Sequence, residues 1–436
     1  MVRLVKIFTG FFLVLLVSCN QTKTVNANAN NDSIKKYLDL SSNDTFSNNQ
    51  RNQYNKKAFA LIDLSKNDTV TRYYLSETSF NNLKLKNWKE LKKVSKIHFQ
   101  KSLEKKDTLN LARYSRYEGW YYKKIKVYDS AFYFYSKAEK YYKQLKSKDE
   151  IAKTLMYKGM VQYEVSDFLG AEFTLTQAEF FNKNSNNKEL SCRIFLAIGL
   201  VYGEMNENQK ALKYYLKGFN LVNNYNIKDE NLRGTSLNNI GNVYCKLNKK
   251  ELAYKFLNEA IRCKNTKKLD SDFYGYISYN MANLKIKDKK YNEAKKLYLI
   301  SMIEMEKYKV VPTIIGANIG LSDYYSLVKD TASAIIYAER AKTISEKNNL
   351  LYGVSESLQQ LIKVDKKNAS KNAQEYIKVN DSMNKTERLF RNKFARIVYE
   401  TDEIQQEKKT SYQTKMDNFR YCCLCSINWF ITFYHY

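Results

Sequence analysis

The sequence predicts an all-α fold in which helix pairs stack side by side into one array. With 13 glycines and 1 proline in 436 residues, the chain has too few turn-forming residues for a strand-rich fold with frequent tight turns. It is 44% hydrophobic and 27% charged, a balance typical of a folded chain. A pattern of small and aromatic residues also recurs about every 40 residues, as expected of a helical repeat.

The N-terminus has the layout of an export signal. Arg3 and Lys6 are basic, residues 7–17 form an apolar run too short to span a bilayer, and a Leu-Val-Ser-Cys tetrad ends at Cys19. The tetrad resembles the lipobox of bacterial lipoproteins. That resemblance implies cleavage before Cys19, lipid on Cys19, and an exported, lipid-anchored protein of the cell envelope that faces the periplasm or the cell exterior. An ordinary signal peptide followed by a chance cysteine is the alternative.

Composition and periodicity divide the rest of the chain. An Asn-, Thr- and Ala-rich stretch after Cys19 is suited to a flexible tether, and the segment after it is predicted to be partly helical and to cap the array. The predicted segments are a signal peptide (1–18), a tether (19–32), an N-terminal helical cap (33–69), the helical array (70–382), a charged stalk helix (383–418) and an aromatic, Cys-rich tail (419–436).

The array contains six clear copies of one pattern. A small residue is followed twelve positions later by an alanine, and in most copies by another small residue seven positions beyond that. The central alanines are spaced 40, 40, 42, 41 and 40 residues apart. Apolar residues recur at intervals of three and four, which gives each helix one buried stripe. The residues predicted to pack the repeats are Gly119, Ala131, Ala138, Gly159, Ala171, Ala178, Gly199, Ala211, Gly218, Gly241, Ala253, Ala260, Ala282, Ala294, Ala334 and Ala341.

This pattern resembles the tetratricopeptide repeat (TPR), in which two antiparallel helices pack through small residues. The resemblance implies a right-handed α-solenoid of about eight helix pairs, with looser terminal pairs near residues 73–103 and 354–380. The period exceeds the usual 34 residues by about six. Polar turns between the two helices of a pair are predicted at Asp167, Asn206, Asn248, Asp288 and Asp330. Pro312, the only proline, falls where a first helix would begin.

The charged stretch 383–418 is predicted to be a long amphipathic helix or coiled-coil stalk, through which the protein could dimerise. Residues 391–404 resemble the juncture that follows the repeats in the periplasmic sensor part of TPR-containing transcriptional regulators and histidine kinases. The tail 419–436 is either a frayed or interfacial end, or a truncated membrane segment of a longer regulator. Cys422, Cys423 and Cys425 lack a second Cys/His pair for a metal site.

The residues predict no active site. The chain has two histidines, His98 and His435, and no glycine-rich phosphate loop, so triads, His-ligated metals and nucleotide use are unsupported. The net charge of +28 is spread along the chain and does not predict nucleic-acid binding.

We therefore expect a non-catalytic envelope-anchored scaffold, with no cofactor or metal, that binds an unknown protein or peptide in its groove. Tyr121, Tyr141 and Tyr214 are candidates to line that groove. The alternative is the sensory domain of a transcriptional regulator or sensor histidine kinase, truncated before its cytoplasmic output domain.

Overall fold

A computed structural model of the chain describes residues 30–263 and 273–434, and for 403–434 it describes the backbone alone. This part of the chain is helical throughout and contains no strand, which confirms the predicted all-α fold. The helices are α1 (30–42), α2 (Asn48–Leu61), α3 (Thr69–Lys84), α4 (Trp88–Glu104), α5 (Thr108–Lys124), α6 (Tyr128–Gln144), α7 (Lys148–Glu164), α8 (Phe168–Asn182), α9 (Lys188–Glu204), α10 (Asn208–Asn224), α11 (Glu230–Lys246), α12 (Lys250–Arg262), α13 (Phe273–Lys287), α14 (Tyr291–Tyr308), α15 (Val311–Leu327), α16 (Thr331–Lys347), α17 (Leu351–Val364) and α18 (Ala369–Tyr434).

The chain divides into two compact units between Ser147 and Lys148. The first unit contains α1 to α6 and the second contains α7 to α18. Within each unit, successive helices pack as pairs joined by short turns. The predicted array 70–382 runs across the division, and α18 continues without a break across positions 382 and 418, where sequence composition placed the limits of the stalk.

The turns between helices share one backbone geometry. A residue with a left-handed backbone follows most helices, and these residues recur about every 20 positions along the chain. At Lys126 (φ 61°), for example, the N–H of Val127 donates to the carbonyl of Tyr122 at 2.9 Å and the N–H of Lys126 donates to that of Lys123 at 3.1 Å. This is the Schellman ending, usually built on glycine. Here the residues are Lys86, Lys106, Lys126, Lys146, Ser166, Asn206, Asn226, Asn248, Lys289, Lys309, Lys329 and Asn349.

The predicted polar residues lie in these turns. Asn206 and Asn248 adopt the left-handed conformation. Asp167 and Asp330 accept the N–H of Gly170 and of Ser333 and so cap the helices that follow. Pro312 lies in the first turn of α15, where its missing N–H leaves no helical hydrogen bond unmade.

Small residues occupy the contacts between paired helices. The eleven predicted packing alanines are all fully buried. A Cβ atom added at Gly199 would lie 2.4 Å from the Tyr215 ring, and one added at Gly159 would lie 2.8 Å from the Leu175 side chain. Because real carbon atoms rarely approach within about 3.5 Å, the large side chain on each second helix occupies the space that glycine leaves open.

Within the second unit, the first helix of each pair lies on the inner side of the stack. In the second unit, α7 contacts α9, and direct contacts continue through α11, α13 and α15 to α17, whereas successive second helices make no comparable contact among the described helices. In a curved stack of helix pairs, the helices on the concave side lie closer to one another than the helices on the convex side do. We call the surface formed by α7, α9, α11, α13, α15 and α17 the inner face.

Candidate binding site on the inner face

Two carboxylates from helices far apart in sequence influence each other electrostatically on the inner face. Glu204 ends α9 and accepts a hydrogen bond from the Tyr163 hydroxyl of α7 at 3.2 Å. Glu356 lies on α17, one helical turn after Tyr352, and the two side chains affect each other's pKa. Burial raises the pKa of Glu356, the Tyr352 hydroxyl and the charge of Lys246 oppose that rise, and the negative charge of Glu204 adds to it. The curvature of the second unit therefore places α9 and α17 within electrostatic range of each other.

A third carboxylate and another tyrosine extend this group. Asp323 of α15 accepts a hydrogen bond from the Gln360 amide at 2.8 Å. Burial raises the pKa of Tyr279 on α13, and the charges of Glu356 and Asp323 raise it further, while a hydrogen bond to Asn283 lowers it. We define the inner-face cluster as Tyr163, Glu204, Tyr279, Asp323, Tyr352 and Glu356.

The cluster can bind donors and cations. Its carboxylates have tyrosine or amide partners, and within the described chain none of the three forms an ion pair with a lysine or arginine at 4 Å or less. Tyrosine rings offer apolar faces that attract cations within about 6 Å. The protein as a whole carries a net charge of +28, so the cluster is a local acidic region on a basic molecule.

The tyrosines of the cluster stay protonated at neutral pH. Burial and the neighbouring carboxylates raise the pKa of Tyr163 and of Tyr352 above the ordinary value of a phenol. A phenol in that state donates a hydrogen bond and does not act as a base near pH 7. The arrangement is therefore suited to recognition of a ligand.

The sequence-predicted packing residues lie in the contacts between helices and not in the inner-face cluster. The glycines and alanines of the pattern are buried. Tyr121 is buried beside Leu83 and Leu91, so it does not line an open groove. Tyr141 and Tyr214 lie on second helices, α6 and α10, and neither belongs to the inner face. Tyr214 instead stacks on Tyr202 with ring centres 5.7 Å apart.

Other predicted features fall partly outside the described residues. Cys19 and the signal-like N-terminus lie outside them, as do His435 and the side chains of the C-terminal cysteines. Cys192 and Cys245 are buried free thiols, and the Cys263 thiol donates to the Glu259 carbonyl at 3.7 Å. Among the residues that the structure describes, no three metal-binding side chains gather into a site, and no described helix combines the length and apolar character of a membrane span.

Comparison with known proteins identifies the fold. No family model and no curated protein matches the sequence. Among solved structures, the Rap conjugation gene regulator of plasmid pLS20 in complex with the Phr* peptide is 15% identical, with a TM-score of 0.53 over 82% of this chain and 96% of that one. NprR in complex with its cognate peptide NprX is 15% identical, with a TM-score of 0.54 over 81% and 98%. Aspartyl phosphate phosphatase F from Bacillus subtilis is 16% identical, with a TM-score of 0.52 over 81% and 93%.

These structures show that the chain has a TPR-like helical-repeat fold, an all-α solenoid. At identities this low, the likeness concerns the fold alone.

Proposed function

We propose that this protein is a non-catalytic scaffold whose inner face binds a peptide or a segment of a protein. The observation that carries the proposal is the inner-face cluster, where side chains from α7, α9, α13, α15 and α17 converge. Solenoids receive extended or helical peptides on such concave surfaces. Two proteins of the same fold were solved with a peptide bound, which supports a peptide as the ligand here.

The geometry gives each group a role in binding. Glu204, Asp323 and Glu356 present carboxylate oxygens, which accept hydrogen bonds from peptide N–H groups and attract lysine or arginine side chains. Tyr352 contributes a ring that is 54% exposed and can pack against a ligand side chain. Because these groups come from several repeats, a ligand must be long enough to span them, as a peptide is.

A photo-crosslinking amino acid tests this assignment. Placed at Tyr352 in the full-length protein in living cells, it is expected to give a discrete covalent adduct with a peptide or protein. The matched control is the same amino acid at Ile336, which is 63% exposed but lies on the second helix α16. Adducts that are equally abundant at both positions, or absent from Tyr352, would contradict binding on the inner face. Mass spectrometry of the adducts identifies the ligand.

A second candidate function is that of a sensory domain in a longer signalling protein, a transcriptional regulator or sensor histidine kinase. The observation in its favour is the TM-score of 0.53 to a protein described as a gene regulator. Reading the genomic DNA beyond codon 420 in all frames tests this candidate. A membrane helix followed by a DNA-binding or kinase domain in any frame supports it, and unrelated sequence in every frame counts against it.

We further propose that Cys19 carries lipid and anchors the protein to the cell envelope. The tetrad ending at Cys19 and the apolar run before it support the proposal. Changing Cys19 to Ala is expected to move the protein from the membrane fraction to the soluble fraction, because several acyl chains on one residue hold a protein at a bilayer and their loss leaves no comparable anchor. Retention of the unacylated variant in membranes would refute the anchor, as measured by fractionation with metabolic labelling by a palmitate analogue.

A further inference from the structure

The long helix α18 contacts the second unit at two separate places. Near its start, Tyr376 and Val379 pack against the core that α16 and α17 share, and the hydroxyl of Ser355 donates to the Asn380 side chain at 2.9 Å. From 381 to 393 every side chain is exposed or only half-buried. Beyond that stretch the helix is covered again.

The second place of contact is an apolar stripe on one side of α18. Phe394, Ile397 and Thr401 are 2%, 8% and 7% exposed, whereas the residues between them are exposed. Positions separated by three and four residues lie on the same face of a helix. One face of α18 is therefore buried over these residues while the opposite face meets water.

An ion pair identifies what this face docks against. The Arg391 Nε lies 3.3 Å from the Asp167 Oδ1, and the Asp167 side chain is 2% exposed. Asp167 belongs to the turn between α7 and α8, where it also accepts hydrogen bonds from the Gly170 N–H and the Gln162 amide, each at 3.1 Å. The guanidinium thus contacts a carboxylate that is already held in place by two neutral donors.

The α7–α8 turn is buried, whereas the corresponding turn of another repeat is exposed. Val165 is 8% exposed and Asp167 is 1% exposed. In the turn between α15 and α16, Val328 occupies the place of Val165 and is 43% exposed. Asp330 caps α16 as Asp167 caps α8, yet it remains half-buried. The two turns have the same backbone geometry, so the backbone does not account for the difference in exposure, and the α7–α8 turn is the one that Arg391 of α18 contacts.

We propose that residues 387–401 of α18 form an intramolecular latch. They dock on the α7–α8 turn and so join the first helix pair of the second unit to its last. The docking site binds an amphipathic helix in which an arginine lies three residues before a phenylalanine. The arginine pairs with the buried carboxylate of Asp167. The latch also holds together the two ends of the row of helices that forms the inner face, and it therefore limits how far that face opens to a ligand. This second role rests on the proposed function.

Hydrogen exchange measured by mass spectrometry on the full chain tests the latch without any ligand. The double variant Arg391→Ala/Phe394→Ala is expected to raise exchange in residues 387–401 and in the α7–α8 turn by about tenfold or more, as an undocked segment opens more often. The matched control is Arg388→Ala/Leu389→Ala, which removes the same kinds of side chain from an exposed part of the same helix. The control should leave both segments unchanged. Unchanged exchange in the Arg391/Phe394 variant, or an equal rise in every helix, would overturn the latch.

A synthetic peptide of residues 384–402 provides a second measurement. It is expected to bind the Arg391→Ala/Phe394→Ala protein, whose docking site is vacated, and to bind the wild-type protein several times more weakly. The same peptide with both substitutions should bind neither protein. Equal binding to wild type and variant, or no binding to the variant, contradicts an exchangeable latch.

Photo-crosslinking from Tyr352 should increase in the variant if the inner face is the ligand site. If hydrogen exchange rises in the variant but crosslinking does not, the result contradicts ligand binding on the inner face and still supports the latch.

Discussion

Acidification from pH 7 to pH 4 is expected to remove about 3 kcal/mol from the stability of the first unit through one side chain, His98. This imidazole is fully buried on α4, and burial lowers its pKa from 6.5 to about 4. Its Nε2 lies 3.1 Å from the Asn110 Oδ1. The Asn110 amide in turn donates to Asp107 at 2.8 Å, so the oxygen of Asn110 faces the ring and the proton is on Nε2.

The sign of the effect follows from the neutral ring. The folded pKa lies below the unfolded value of about 6.5, so the unfolded chain binds the proton more readily. The contribution is complete above about pH 6.5 and is lost as the pH falls toward 4. Because a pKa change of one corresponds to 1.36 kcal/mol, the fall in the pKa of His98 from 6.5 to about 4 corresponds to about 3 kcal/mol. A proton added at Nδ1 would also lack an acceptor, since that nitrogen is buried without a hydrogen-bond partner in the described structure.

Urea unfolding at several pH values, with His98→Gln as the comparison, measures this contribution. Burial raises the pKa of Glu77 and of Glu118 nearby, and these groups favour the folded state as the pH falls. Their effect is common to both proteins, so the difference between wild type and variant isolates His98. We expect the wild type to lose about 3 kcal/mol relative to the variant between pH 6.5 and 4. Parallel curves would show that His98 binds a proton as readily in the folded protein as in the unfolded chain.

The second large effect concerns two glycines one turn apart in α9. Changing Gly199 to Ala is expected to lower the free energy of unfolding by about 1 to 2 kcal/mol, whereas changing Gly203 to Ala should raise it by up to about 1 kcal/mol. Both substitutions gain the same helix propensity. At Gly199 the new Cβ would lie 2.4 Å from the buried Tyr215 ring, but at Gly203 the nearest atom would be the Tyr215 hydroxyl oxygen at 3.8 Å.

The difference between the two alanine variants therefore isolates the contact between helices. We expect it to be about 1 to 3 kcal/mol, measured by denaturant unfolding with hydrogen exchange in α9 and α10 to locate the loss. The left-handed backbone is not involved, because no described glycine has a positive φ. Two variants of equal stability would mean that Tyr215 moves aside without cost, and that glycine is not needed for the close approach of these helices.

The parts of the fold that repeat are the parts that the sequence predicts. A contact such as that of Gly199 with Tyr215 recurs as Gly119 with Tyr135, and recurrence makes it visible as a spacing. The left-handed turn residues also recur, but they are lysine or asparagine in most turns, so composition alone does not distinguish them from ordinary surface residues. The division at Ser147 carries no glycine or proline signal either.

The candidate site could not be predicted because it does not repeat. Glu204 and Glu356 lie 152 residues apart and influence each other only because the stack of helices curves, which no local pattern encodes. The same holds for Arg391 and Asp167, 224 residues apart. Charge in residues 383–418 correctly indicated a helix. The burial of Phe394, Ile397 and Thr401, which the charge pattern did not indicate, shows that one face of this helix is covered.

The left-handed turns also constrain how the gene can change length. Each helix rotates about 100° per residue, so one codon inserted inside a helix would turn every later side chain of that helix away from its neighbour. The turn residues Ser166 and Asn206 are 40 positions apart and have the same backbone geometry. Duplication or loss of about 120 base pairs between such positions preserves every contact of small residues on both sides. The array can therefore lengthen or shorten by whole helix pairs, whereas most insertions of other lengths are expected to be eliminated by selection.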